Sequence, residues 1–193
     1  MLPTDHTLAL LSHPLTPAPM VRAVVAGVSR LSDGSLVFFY HLSGDMARLL
    51  IPVPQTGKRS DDLWEHTCFE AFLAVAGDSA YREFNFSPSG QWATYAFSAY
   101  RRPQQSGLSP KSPQISTCLS AGRFELSAQV SADALPRSAT TAPLQIGLSA
   151  VIESTDTVDG SRSYWALSHP AARPDFHQRA AFILELPAAQ HSA

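Results

Sequence analysis

Short runs of apolar and polar alternation, each closed by Gly, Pro, Ser or Asp, constrain this chain most. Residues 122–130, GRFELSAQV, put Phe124, Leu126, Ala128 and Val130 on one face and Glu125, Ser127 and Gln129 on the other. That is the period of a half-buried strand. Residues 144–152 repeat it with Ile146, Leu148, Ala150 and Ile152. Further runs are 20–30, 35–42, 47–51, 66–75, 81–86, 91–100, 114–119, 163–168 and 180–186. Between them lie Ser32-Asp33-Gly34, Ala76-Gly77-Asp78, Ser87-Pro88-Ser89-Gly90 and Val158-Asp159-Gly160, all turn chemistry. The third of these separates two aromatic-rich runs and reads as a hairpin loop.

Sustained helical spacing is missing, and 15 prolines break any long helix. Single helical turns are expected at 131–136 and after Pro174. The pattern predicts an all-β fold, an antiparallel β-sandwich or barrel with little helix. One domain over residues 1–193 is expected, with an exposed Pro/Ser-rich loop near 101–113. Phe69, Leu73, Phe84, Phe86, Phe124, Leu126, Ile146 and Leu148 are the expected core.

Charge narrows the function. A net charge of -2 excludes a nucleic-acid grip built on overall charge. No apolar run approaches the ~18 residues of a membrane span. The N-terminal stretch lacks a basic n-region and does not read as a secretory signal, so a cytoplasmic protein is expected. Cys68 and Cys118 have no zinc spacing and read as two buried thiols, one bridge being the alternative. G-x-S-x-G, P-loop and G-x-G-x-x-G motifs are missing, so a non-catalytic protein is favoured over an enzyme.

Three clusters are candidates for binding. In 63–70, LWEHTCFE, a strand would share Trp64, His66, Cys68, Glu70 and Phe72 on one face. The opposite face, Phe69 to Val75, is apolar and must be core. The first face is either a solvated surface or the lining of a concave site. If the next two strands are neighbours, Asn85 and Trp92 would converge with Trp64 and Glu70. Aromatic planes beside carboxylate and carboxamide groups suit a polyhydroxylated ligand. The simpler reading puts Trp92 in the core and Glu70 and Glu83 in solvent. The third cluster, YWALSHPAARPDFH (164–177), holds His169 and His177, with Asp175 placed to orient His177. His41, His66, His169 and His177 with Met46 are possible haem axial ligands. No CxxCH is present, which excludes a covalently attached c-type haem.

Residues 63–101 resemble the core of bacterial DOMON-like proteins. These belong to a broader group that includes family-nine carbohydrate-binding modules and haem- or sugar-binding DOMON domains. The resemblance rests on Trp64, Glu70-Ala71-Phe72, Tyr81 to Phe86 and Ser87-Pro88-Ser89-Gly90, and residues 164–177 look like the group's closing motif. It implies a DOMON-like sandwich with a ligand site on a concave face or edge. In sugar-binding relatives two aromatics enclose a sugar, a role that falls here to Trp64 and Trp165, with Trp92 in reserve. Glu70, Asn85, His66 and His177 would complete such a site. In haem-binding relatives Met46 and His169 are the candidate axial ligands. The expectation is a sugar-like small-molecule ligand without a cofactor. A haem-binding electron-transfer module and a structural domain without a site are the alternatives.

Overall fold

Two antiparallel sheets face each other, and one strand belongs to both. The structure, a computed structural model, describes residues 7–104, 111–155 and 161–189. The strands are β1 (Thr7–Ser12), β2 (Val21–Arg30), β3 (Leu36–Gly44), β4 (Cys68–Val75), β5 (Tyr81–Phe86) and β6 (Trp92–Ala99). They continue with β7 (Arg102–Pro103), β8 (Gln114–Ser120), β9 (Arg123–Val130), β10 (Leu144–Ser154), β11 (Ser161–Ala166) and β12 (Leu184–Leu186). Their order is β7-β6-β5-β4-β10-β11-β1-β2-β3-β9-β8, with β12 beside β10. Strand β1 makes the corner: Thr7–Leu10 pair with β2, while Leu11 and Ser12 pair with Ala166 and Trp165 of β11.

The expected all-β sandwich is what the chain forms. Among the described residues the helical segments are single 3-10 turns, including Ala132–Ala134 and Arg179–Ala181. Two expectations fail locally. Residues 47–51 form no strand; Met46–Arg48 is a 3-10 turn capped by the Asp45 carboxylate, which accepts from the Ala47 N–H. Strand β1 was not expected at all. The loop foreseen at 101–113 begins with β7, and its residues 105–110, like the turn at 158–160, lie outside the described residues.

All eight expected core residues are buried, and they come from the inner faces of both sheets. Phe69 of β4 stacks on Phe124 of β9 at 5.7 Å and lies 5.0 Å from Tyr40 of β3. Tyr40 donates its buried hydroxyl across the sandwich to the Glu70 carbonyl at 2.7 Å. That bond removes the penalty of an unpaired buried hydroxyl. The thiols differ from expectation: Cys68 is buried, but Cys118 sits exposed on edge strand β8, and both are free.

Strand β4 is buried along its whole length, so its outer face is covered as well. Phe182 lies over that face, where a Cβ at Gly147 would come within 2.9 Å of its ring. Glycine at 147 is what allows the C-terminal segment to press onto β10.

Candidate functional site

The outer face of the β4–β5–β6–β10 sheet is the floor of a cavity of about 1070 Å³. Period two fixes what the floor presents. Glu70 stands directly between Asn85 of β5 and Ser149 of β10. Phe72 faces Glu83, and Glu83 faces Tyr95 of β6. The volume is at the upper end for small-molecule sites.

Three segments wall it. The first is 59–65. The Ser60 N–H donates to the Trp92 carbonyl at 3.0 Å, and Tyr95 donates its hydroxyl to Asp61 at 2.8 Å. Leu63, buried against Cys68 and Ala93, anchors a 3-10 turn, Leu63–Glu65, that holds Trp64 out at 43% exposure. The second wall is the C-terminal segment through Asp175, Phe176 and His177. The Asp175 carboxylate accepts from Tyr100 at 2.6 Å, from Gln178 at 2.8 Å and from Arg101 at 2.9 Å. Burial alone would raise the Asp175 pKa, but these donors together hold it below the usual carboxylate range. The third wall is Leu15 and Thr16 beside Tyr164, whose N–H donates to the Thr16 hydroxyl. Asp62 and Arg101 are the non-glycine residues with positive φ among those described, at 58° and 49°, and both line the cavity. Backbone strain held by surrounding structure often accompanies ligand sites.

The floor's electrostatics are unusual. Glu70 is 3% exposed and Glu83 is 6% exposed. Burial pushes the Glu70 carboxyl well above its ordinary pKa, and the neighbouring Glu83 adds to this against the Ser149 hydroxyl and the Arg101 charge. Glu83 is raised too, chiefly by burial, against an Asn85 amide that donates to it at 2.7 Å. His177 completes the group. The Tyr81 hydroxyl accepts the Arg101 backbone N–H at 3.1 Å and so directs its own proton to His177 Nδ1 at 2.8 Å. With the Tyr81 hydroxyl donating to Nδ1, the N–H of the neutral ring is Nε2–H, which faces Glu83 at 3.7 Å. Burial, then the Arg101 charge, lowers the His177 pKa to about 4, so the ring is neutral at pH 7.

Of the residues named from sequence, Trp64, Glu70, Phe72, Asp175 and His177 line the cavity. Trp165, Trp92, Asn85 and His66 do not. Trp165 points inward, 7% exposed within the main core, with its Nε1–H donated to Ser163 at 2.9 Å. Its neighbour Tyr164 takes the cavity position, so the expected pairing of Trp64 with Trp165 is not formed. Trp92 is buried opposite Phe86, and its Nε1–H has no partner. Asn85 is fully buried on the same face beside Glu70, where its amide donates to Glu83, and it does not line the cavity. His66 lies outside, paired with Glu153 at 3.0 Å. Asp175 meets the His177 backbone N–H at 3.2 Å, so Tyr81 and not Asp175 sets the ring. Sequence reasoning missed Glu83, Tyr95, Phe97, Arg101 and Tyr164. Alternation puts Glu83 and Asn85 on one face of β5; what it lacks is a sign that this face is covered.

The residues present do not fit an axially ligated haem. Met46 packs against the main core, and His169 Nε2 is bonded to the Leu11 carbonyl at 2.8 Å. His41 is engaged by Arg123 and Glu125, and His177 has Tyr81 on one ring nitrogen and Glu83 facing the other. No helix among the described residues is long and apolar enough to cross a membrane.

Sandwiches of this kind include carbohydrate-binding proteins. A candidate carbohydrate-binding protein from Bacteroides uniformis ATCC 8492 matches with a TM-score of 0.65 at 16% identity, over 92% of this chain and 84% of that one. A family 9 carbohydrate-binding module from Caldicellulosiruptor kristjanssonii, solved in complex with glucose, matches with a TM-score of 0.54 at 10% identity, over 95% and 87%. No family model matches the chain, and no curated protein does. At these identities the likeness is one of fold.

Trp165→Phe separates core from site. It deletes the Ser163 bond and leaves a gap in the core. We expect it to lower stability by about 1–3 kcal/mol and to leave ligand affinity unchanged. Denaturant melts and titration calorimetry on the same preparation check both halves.

Proposed function

We propose that this chain is a non-catalytic carbohydrate-binding domain and that the sugar occupies the cavity on the outer face of the β4–β5–β6–β10 sheet. One observation carries the reading: aromatic planes wall a concavity whose floor is made of buried hydrogen-bonding groups. Trp64 presents an open indole face, and Tyr95, Phe97, Tyr164 and Phe176 also line the space. Sugars present C–H faces that stack on such rings and hydroxyls that bond carboxylates. The glucose-bound module with the same fold supports this reading.

Titration calorimetry against a panel of neutral mono- and oligosaccharides tests it. At least one should bind, and Trp64→Ala should weaken that binding by about 1–3 kcal/mol through lost stacking and buried area. Trp64 is exposed, so the variant should keep its melting temperature. If the whole panel fails to bind, or if Trp64→Ala binds as tightly as the parent, the cavity is not a sugar site.

A further inference from the structure

The floor carboxylates lack a matching cation. Among the described residues no Arg or Lys forms an ion pair with Glu70 or Glu83; the nearest cationic candidate on Glu83 is His177 at 3.7 Å, held neutral. Arg101 gives its guanidinium to Asp175, and Arg59 pairs with Asp61 at 3.0 Å. Arg173 stands exposed at the mouth. Glu70 is flanked by Ser149 and Asn85, with the Cys68 thiol on its own strand and the Tyr40 hydroxyl bonded to its carbonyl. Each of these is neutral. Tyr81, beyond Glu83, is neutral as well and is bonded to His177. Two acids therefore share the floor, and the Arg101 charge that acts on both of them is also paired with Asp175.

Resting on the carbohydrate reading above, we propose that the sugar this cavity selects carries a free ammonium group, seated between Glu70 and Glu83. Three facts point there. Both carboxylates are more than nine-tenths buried and both line the cavity, with no cationic ion-pair partner among the described residues other than the neutral His177. Buried charge is stable only when paired, and an ammonium offers three donors to two adjacent acids. The Trp64 wall leaves a stacking plane for the ring that bears the amine.

Proton balance follows. In the free protein burial, with the repulsion of Glu83 added, favours the protonated form of Glu70, and burial does the same for Glu83. When the ammonium arrives, a carboxyl so protonated releases its proton to buffer, and the ligand keeps all three of its own N–H protons. Binding of an amino sugar is thus accompanied by proton release, whereas a neutral sugar liberates none.

Titration calorimetry at pH 7 with glucosamine, glucose, N-acetylglucosamine and ethylammonium decides it, each run in two buffers of different ionisation enthalpy. Glucosamine should bind about tenfold or more tighter than glucose or N-acetylglucosamine, with proton release, because charge-assisted bonds are roughly twice as strong as neutral ones. Ethylammonium should bind far more weakly than glucosamine. Glu70→Gln removes the more strongly raised acid, so proton release should fall while part of the preference stays. The double variant Glu70→Gln/Glu83→Gln should bring the glucosamine-to-glucose ratio to about one, whatever its effect on glucose affinity itself. Circular dichroism confirms that each variant is folded, and Glu83→Gln alone replaces any that is not. Equal affinity for glucosamine and glucose in the parent overturns the proposal and leaves the carbohydrate reading standing. Loss of all sugar binding overturns both. Ethylammonium binding as tightly as glucosamine, or a preference that survives the double variant, overturns it as well.

Discussion

Phe69→Ala will cost about 3–5 kcal/mol of folding free energy, the usual range for a fully buried aromatic. Phe69 has no exposed surface and contacts rings from two strands of the opposite sheet. Its removal opens a void between Tyr40 and Phe124 that stiff, hydrogen-bonded strands cannot close. At 193 residues each kcal/mol moves the melting temperature by about 2–4 °C, so a drop near 10 °C is the expected size. Urea melts with an unchanged slope would place the loss in stability alone. A loss below about 1 kcal/mol would mean that the inner face of β4 is not the packed one.

Glu70→Gln is expected to do the reverse at neutral pH. The native state holds the Glu70 proton to higher pH than the unfolded chain, whose glutamates titrate near about 4.3. Between the two values the native state binds more protons. The stabilising contribution is therefore complete below the unfolded pKa and is lost as pH rises through the raised native one. Glutamine keeps the shape and has no charge to desolvate. A gain of about 1–3 kcal/mol over the parent is expected at pH 7.5, shrinking towards zero near pH 4.5. His177 works oppositely. Its native pKa is about 4, so its contribution is complete above the ordinary histidine value near 6.5 and fades as pH falls towards 4. Subtracting parent from variant across pH removes His177 from the comparison. A variant less stable than its parent at pH 7.5 would show that the Glu70 carboxylate is already compensated.

Both results trace back to what alternation can and cannot say. It assigns residues to two faces, and where one face is wholly apolar it also says which is inside. That is why Phe69, Leu73 and Phe124 were legible as core. In β11, SRSYWA, each face mixes polar and apolar residues: Ser161, Ser163 and Trp165 on one, Arg162, Tyr164 and Ala166 on the other. Nothing in the string picks the inner one. The structure turns Trp165 inward because Ser163 satisfies its indole N–H there. Trp92 follows from register, since pairing with Phe86 commits it to the inner face. Glu83 and Arg101 were illegible for another reason. A glutamate on a solvated face and one under a covering segment look alike in sequence. What covers Glu83 comes from residues near 177, almost a hundred positions away.

A ribosome delivers the two partners of the corner strand far apart in time. The corner strand β1 finds β2 at once through a short connection, but its second half waits for β11. The bond from Tyr164 to Thr16 spans 148 positions. Until β11 is made, β10 and β1 present bare strand edges to the surrounding solution, each a template for mispairing with another chain. Closure by such distant partners is slow, on a timescale of about milliseconds to seconds for β topologies. The hazard of aggregation thus falls mainly on the nascent chain, in the interval before the corner shuts.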